Sequence, residues 1–207
     1  MTIRIILAGL FAALAWSPIH AQEFSADPDR IEERIQALGR FGENAEGGVS
    51  RLAFSDADLA GREYIKGLMQ QAGLQVRVDT AGNIIGRREG SESDLAPIMF
   101  GSHIDSVPGG GNYDGDVGVI GAIEVAQLLH ERGILTKHPI EIVSFTDEEG
   151  GLTGSRGMIG KLGEGTLGVM SHSGMTIREG IARVGGDPDR LELAVRKPGD
   201  IAAFIEL

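Results

Sequence analysis

Two short segments hold the residues whose types and spacing could do chemistry. The first is Gly101-Ser102-His103-Ile104-Asp105-Ser106-Val107-Pro108, which continues into the loop Gly109-Gly110-Gly111-Asn112-Tyr113-Asp114-Gly115. The second is Ser144-Phe145-Thr146-Asp147-Glu148-Glu149-Gly150. Each begins where a short apolar run ends. Residues two apart in an extended chain face the same side, so His103 and Asp105 can meet. The Asp105 carboxylate could then accept a hydrogen bond from one imidazole nitrogen while the other binds a metal. Asp114 follows three glycines, in a loop able to wrap closely around a small object and aim a carboxylate inward. Its two oxygens could bridge two cations. Glu148 and Glu149 are adjacent acids at the end of an apolar run. Hydrolysis by a metal-activated water needs one carboxylate to hold the cation and another to take the proton and return it to the leaving nitrogen.

Each signal alone has an ordinary alternative: a surface His–Asp pair, an Asp-Gly turn, or a solvated acidic turn. Their combination is more informative. Nitrogen and oxygen donors without thiolates suit zinc, manganese, cobalt or nickel. Two such cations about 3.5–4 Å apart form a hydrolytic clamp.

The elements that must position these residues follow from periodicity. Asp27-Pro28 reads as N-cap and first residue of a helix with Ile31, Ile35 and Leu38 on one face. Ser55 caps a second helix, striped by Leu59, Ile65, Leu68 and Met69 and stopped at Gly73. Leu74, Val76 and Val78 alternate with polar residues, and Ala81-Gly82 turns into Asn83–Arg87, a β-hairpin. Ala96–Gly101 and Ile140–Phe145 read as buried strands. The helix Gly118–Arg132 lies between them, with Val119, Ile123, Val125, Leu128 and Leu129 facing inward. Thr176-Ile177-Arg178-Glu179 is a capping box opening a helix that ends at Gly185-Gly186. Asp187-Pro188 is expected to start a further short helix, and Ile201–Leu207 a last strand. Strands alternating with helices argue for an α/β fold, a mixed sheet flanked by helices. In open sheets of this kind, ligands bind beyond the carboxyl ends of the strands.

Composition bounds the partners. The 207 residues carry a net charge of -11, so the basic stripe of a nucleic-acid binder is missing. There is no Cys, which excludes disulfides, thiolate metal sites and a Cys nucleophile. Glycine accounts for 32 residues, about twice the usual share, and much of it lies around the two segments above. Residues 1–21 read as a signal peptide: Arg4, then the apolar run Ile5–Trp16, then a small residue, Ala21, at which cleavage is expected. The run is shorter than the roughly 20 residues of a membrane span. Residues 22–207 are then the folded part of an exported protein, periplasmic or secreted, with no membrane attachment after cleavage.

These motifs resemble the hydantoinase/carbamoylase family of dinuclear-metal amidohydrolases. That family includes N-carbamoyl-L-amino-acid hydrolases, allantoate amidohydrolases and β-ureidopropionases, and is related to the aminoacylase and carboxypeptidase metallopeptidases. Gly47-Gly48-Val49-Ser50-Arg51-Leu52, Asp79-Thr80-Ala81-Gly82-Asn83 and Gly154-Ser155-Arg156 fit the resemblance as well. It implies a zinc-exopeptidase-like catalytic domain. His103 corresponds to a ligand of the first metal, Asp114 to the bridging carboxylate and Glu149 to a ligand of the second metal. Glu148 corresponds to the catalytic base, Asp105 to the acid that orients His103, and Asn83 to a support for the turn beside the site. The resemblance implies two divalent ions, zinc first, with manganese, cobalt or nickel as alternatives. The substrate is a small molecule, an N-carbamoyl amino acid or related ureido compound, cleaved at a non-peptide C–N bond.

The resemblance also implies that the strand ending at Leu207 should run into a His-x-Glu-Gln-Gly motif, followed by a lid and dimerisation domain. The chain therefore reads as an N-terminal part of the catalytic domain, inactive by itself, from a homodimeric parent. Two other readings stand beside it: a secreted metallo-aminopeptidase or carboxypeptidase, and a non-catalytic remnant.

Overall fold

The computed structural model describes residues 25–207. The expected signal peptide, residues 1–21, lies outside the described residues. Five strands form one mixed sheet in the order β1 (Gln75–Val78), β2 (Ile84–Arg88), β4 (Ile140–Phe145), β3 (Ile98–His103), β5 (Ala203–Glu206). β1 and β2 form the expected hairpin, and β2 pairs antiparallel with β4. β3 runs parallel to both β4 and β5. The sheet is thus mixed and flanked by helices, as its sequence pattern indicates.

The register between β3 and β4 places the site. Ser102 pairs with Ser144 and His103 with Phe145, so both strands end at one level and release their acidic segments side by side. Between them runs α3 (Asp116–Glu131), which packs on the sheet through Val119, Ile120 and Ile123, all fully buried. Burying each such side chain stabilises the fold by about 1.5–3 kcal/mol. Val125, expected inward, is instead exposed, because it lies off the stripe set by Val119 and Ile123.

α1 (Pro28–Gly39) and α2 (Asp56–Gln71) join α3 on this face. Asp27 accepts from Arg30 N–H and Ser55 from Asp58 N–H, so both caps act as expected. α1 is clamped to α3 by Glu124, buried at the interface, which accepts from Arg30 Nε (2.7 Å), Arg30 Nη2 (2.6 Å) and Arg34 Nη1 (3.4 Å). The opposite face carries Ile85, Met99, Val143 and Phe145, covered by Met158 of α5 (Thr153–Met158) and by Ile201.

The chain after β4 departs from the sequence reading. It coils through short helices α4 (Glu148–Gly151), α5 and α6 (Glu164–Leu167) before α7 (Ile177–Arg183), whose capping box is formed. Glycine-rich sequence hid these turns. No helix opens at Asp187-Pro188; a single 3-10 turn, Leu191–Ala194, follows instead. Among the described residues, no helix is long and apolar enough to cross a membrane.

Candidate metal centre

His103 is the last residue of β3 and is buried. Its Nδ1 lies 2.9 Å from the backbone oxygen of Asp105. A carbonyl can only accept, so Nδ1 donates to it, and Nε2 is the ring nitrogen left to face a metal. Nε2 points to Glu148, whose Oε2 is 3.5 Å away. The expected contact from the Asp105 carboxylate is not made: Oδ1 stands 4.0 Å from Nδ1. That carboxylate has another task. Its Oδ1 accepts the Glu148 N–H and its Oδ2 the Glu149 N–H, both at 3.1 Å. Asp105 therefore orients His103 through its main chain and fixes the Glu148–Glu149 turn through its side chain.

Gly115 makes room for the imidazole. A Cβ at this position would lie 2.6 Å from three ring atoms of His103, and the residue has φ +67°. A side chain there meets both a clash and the left-handed penalty of about 1–2 kcal/mol. Gly115→Ala is expected to destabilise the protein by at least that amount, read as a lower midpoint in chemical denaturation.

Asp114 is exposed at the mouth of its loop and close enough to the half-buried Glu149 for their charges to interact. Neighbouring carboxylates repel, and a cation between them relieves the repulsion. Burial raises the Glu149 carboxyl above its ordinary range and Asp114 adds to the rise, while His103 opposes it. Burial likewise pushes Asp105 up to about 7; Asp58 adds to the shift, and His103 and the two backbone N–H groups pull it back.

The β4 side of the site is held by residues that do no chemistry themselves. Asn83 is fully buried: its Oδ1 accepts the Thr146 N–H (3.1 Å), and its Nδ2 donates to Asp79 (2.9 Å) and to the Gly154 carbonyl (3.1 Å). Gly154 is required there, since a Cβ would fall 1.9 Å from Asn83 Oδ1. Arg62 of α2 donates to Thr146 Oγ1 (3.1 Å) and to the Gly82 carbonyl. Asp147 takes a left-handed conformation (φ 53°, ψ 50°) that turns the chain from β4 into α4, and its carboxylate accepts from Thr153 Oγ1 (2.5 Å).

The fold thus brings together His103, Asp105, Asp114, Glu148 and Glu149. His138 instead contacts the Ala96 carbonyl, while His130 and His172 are exposed. Sequence reasoning assigned no role to Arg51, Arg62 or Asp116, all buried near these residues. A signal for Arg62 was present, because Asp58, Arg62, Ile65 and Met69 share one buried stripe of α2. Among the described residues, no group of three or more His, Asp or Glu side chains is drawn together tightly enough to hold a metal ion. His103 meets Glu148, while Asp114 and Glu149 lie near enough for their charges to interact. An imidazole nitrogen and crowded carboxylates fit divalent cations in donor type and charge, as a partial set.

The sequence profile of Peptidase family M28 matches residues 83–169, the stretch that contains His103, Asp105, Asp114, Glu148 and Glu149. The fold and this profile make the chain similar to proteins of the metal-dependent peptidase and amidohydrolase class. The N-carbamoyl-L-amino acid amidohydrolase of Geobacillus stearothermophilus is 43% identical over 184 residues, covering 86% of this chain and 45% of that protein. The allantoate amidohydrolase of Bacillus subtilis is 34% identical over 187 residues, covering 86% and 44%. A hydantoinase/carbamoylase family amidase from Burkholderia ambifaria superposes with a TM-score of 0.78 at 33% identity, over 86% of this chain and 44% of that one. The chain is thus similar to hydantoinase/carbamoylase amidases over most of its own length, and it spans less than half the length of these relatives.

Proposed function

We propose that this chain carries the catalytic acid–base and part of the metal-binding apparatus of an amidohydrolase that cleaves non-peptide C–N bonds of ureido compounds. The observation that carries the reading is the approach of Glu148 to Nε2 of His103, with Asp114 and Glu149 nearby, where β3 and β4 end together. His103 and Asp114 would hold one divalent ion, and Asp114 and Glu149 a second. Zinc is the first choice, with manganese, cobalt or nickel as alternatives. When bound, such ions supply Lewis acidity toward the scissile carbonyl and acidify a water. The half-buried Glu148 carboxylate takes the proton of the attacking water. As the C–N bond breaks, Glu148 delivers that proton to the leaving nitrogen. Asp105 keeps Glu148 at its station by accepting the N–H groups on both sides of the turn.

Two protein ligands per ion fall short of the three usual in catalytic zinc sites. In this reading the remaining donors, and most of the groups that recognise substrate, come from sequence the relatives have beyond the matched region. The 207-residue chain alone is then inactive, and a whole enzyme is a homodimer. The names of the relatives point to N-carbamoyl amino acids or allantoate-like ureido acids as substrates. The leader-like residues 1–21 support export.

A graft tests the proposal. The matched region of the Geobacillus stearothermophilus enzyme is replaced by residues 25–207, and the product is assayed with an N-carbamoyl-L-amino acid and with dipeptides. Ammonia release from the carbamoyl substrate is expected. A folded, metal-loaded graft that turns over dipeptides only favours the metallopeptidase reading, and one that turns over neither favours a non-catalytic remnant.

A further inference from the structure

Arg51 and Asp116 form an ion pair in which both side chains are 1% exposed. The guanidinium is fully engaged. Nη2 donates to both Asp116 oxygens (2.8 and 2.6 Å), Nη1 to the carbonyls of Leu38 (2.9 Å) and Phe41 (3.2 Å), and Nε to the carbonyl of Ile104. The backbone is tied as well: Arg51 N–H donates to Ser106 Oγ (2.9 Å), and Ser106 N–H to the Arg51 carbonyl (3.0 Å). Ile104 lies between His103 and Asp105. Asp116 is the first residue of α3, and its N–H donates to the Asp114 carbonyl (2.7 Å).

This one pair therefore grips the first candidate segment at two points, beside His103 and just after Asp114. Stability alone is a poor reason for it, because a buried ion pair is often no more stabilising than apolar residues of similar volume. We propose that Arg51 and Asp116 are the positioning couple of the candidate metal centre. The guanidinium Nε holds the Ile104–Asp105 peptide, which leads into the Asp105 carbonyl that His103 Nδ1 contacts, and Asp116 holds the turn that aims Asp114. The inference rests on the metal-centre reading for its purpose, while its first readout needs no metal.

Three variants of the 207-residue protein separate positioning from folding. Asp116→Asn weakens the pair. The double variant Arg51→Met/Asp116→Leu removes both charges without leaving one unpaired. Glu124→Gln weakens a different buried pair, away from the site, as a stability control. The first measurement is the ring 15N chemical shifts of His103 without metal. The wild type and Glu124→Gln are expected to show one tautomer, protonated at Nδ1. Asp116→Asn and the double variant are expected to show a mixture. The second measurement is cobalt(II) affinity, which should fall by about 10–100-fold in the double variant, as for other residues that orient metal ligands. It should fall by more than any loss in Glu124→Gln at a matched melting temperature.

An unchanged His103 tautomer in the double variant overturns the inference. So does a cobalt affinity that merely follows thermal stability across all three variants. If the wild type takes up no cobalt while the tautomer change appears, the metal-centre reading fails and the positioning of His103 by this pair stands.

Discussion

Glu148→Gln, introduced into the grafted enzyme, is expected to lower kcat by about 10²–10⁴-fold with little change in KM or metal content. The substitution keeps the size of the side chain and its ability to hydrogen-bond. It removes only the capacity to take a proton. Glu148 suits that task because its carboxylate is half-buried yet open to solvent, at 29% side-chain exposure, and sits 3.5 Å from His103 Nε2. Its main chain is fixed by Asp105, so the carboxylate swings about a held turn. Glu149 differs in kind, since burial raises its carboxyl and the nearby Asp114 adds to the rise. Glu149→Gln should therefore lose metal first and activity as a consequence. Persistence of activity in Glu148→Gln together with its loss in Glu149→Gln at full metal content would exchange the two roles.

The second large effect concerns folding. Glu124→Ala is expected to destabilise the protein by about 3–5 kcal/mol, the cost of breaking a buried ion pair by removing one partner. Glu124 is 1% exposed and faces Arg30, Arg34 and the N–H of Asp27. The lower end of that range is expected, because Arg30 keeps about a quarter of its side chain in solvent and can rehydrate. For a domain of this size the melting temperature should fall by about 2–4 °C per kcal/mol. The change belongs to the contact of α1 with α3, so it should leave the His103 tautomer as it is. A loss below about 1 kcal/mol would mean that α1 is held to α3 by its apolar face alone.

Much of this architecture was legible in the sequence. Ile140–Phe145 reads as a buried strand and is one, with every residue covered. The caps Asp27, Ser55 and Thr176 place three helix starts, because a side-chain acceptor before an apolar stripe has few other uses. The two acidic segments were legible because strand ends in a parallel pair release their loops on one side.

Other features depend on tertiary contacts that no local pattern encodes. The Asp105 carboxylate was expected on His103; instead it caps the N–H groups of Glu148 and Glu149, which approach it from the start of α4, beyond β4. The short helices after β4 carry no apolar period, and their turns rest on a left-handed Asp147 whose stability comes from Thr153. Arg51 is a charged residue in an otherwise small and apolar stretch. Its partner Asp116 is 65 positions away, a distance over which spacing carries no information.

The central claim is that a divalent cation binds where β3 and β4 end, with His103 as its imidazole ligand. Histidine-ring NMR during a zinc titration of the 207-residue protein tests it most directly. The His103 Nε2 resonance is expected to move with saturation, His130, His138 and His172 to stay in place, and Asp114→Asn to weaken the effect. A zinc-dependent shift at His138 or His172 with His103 unmoved would contradict it.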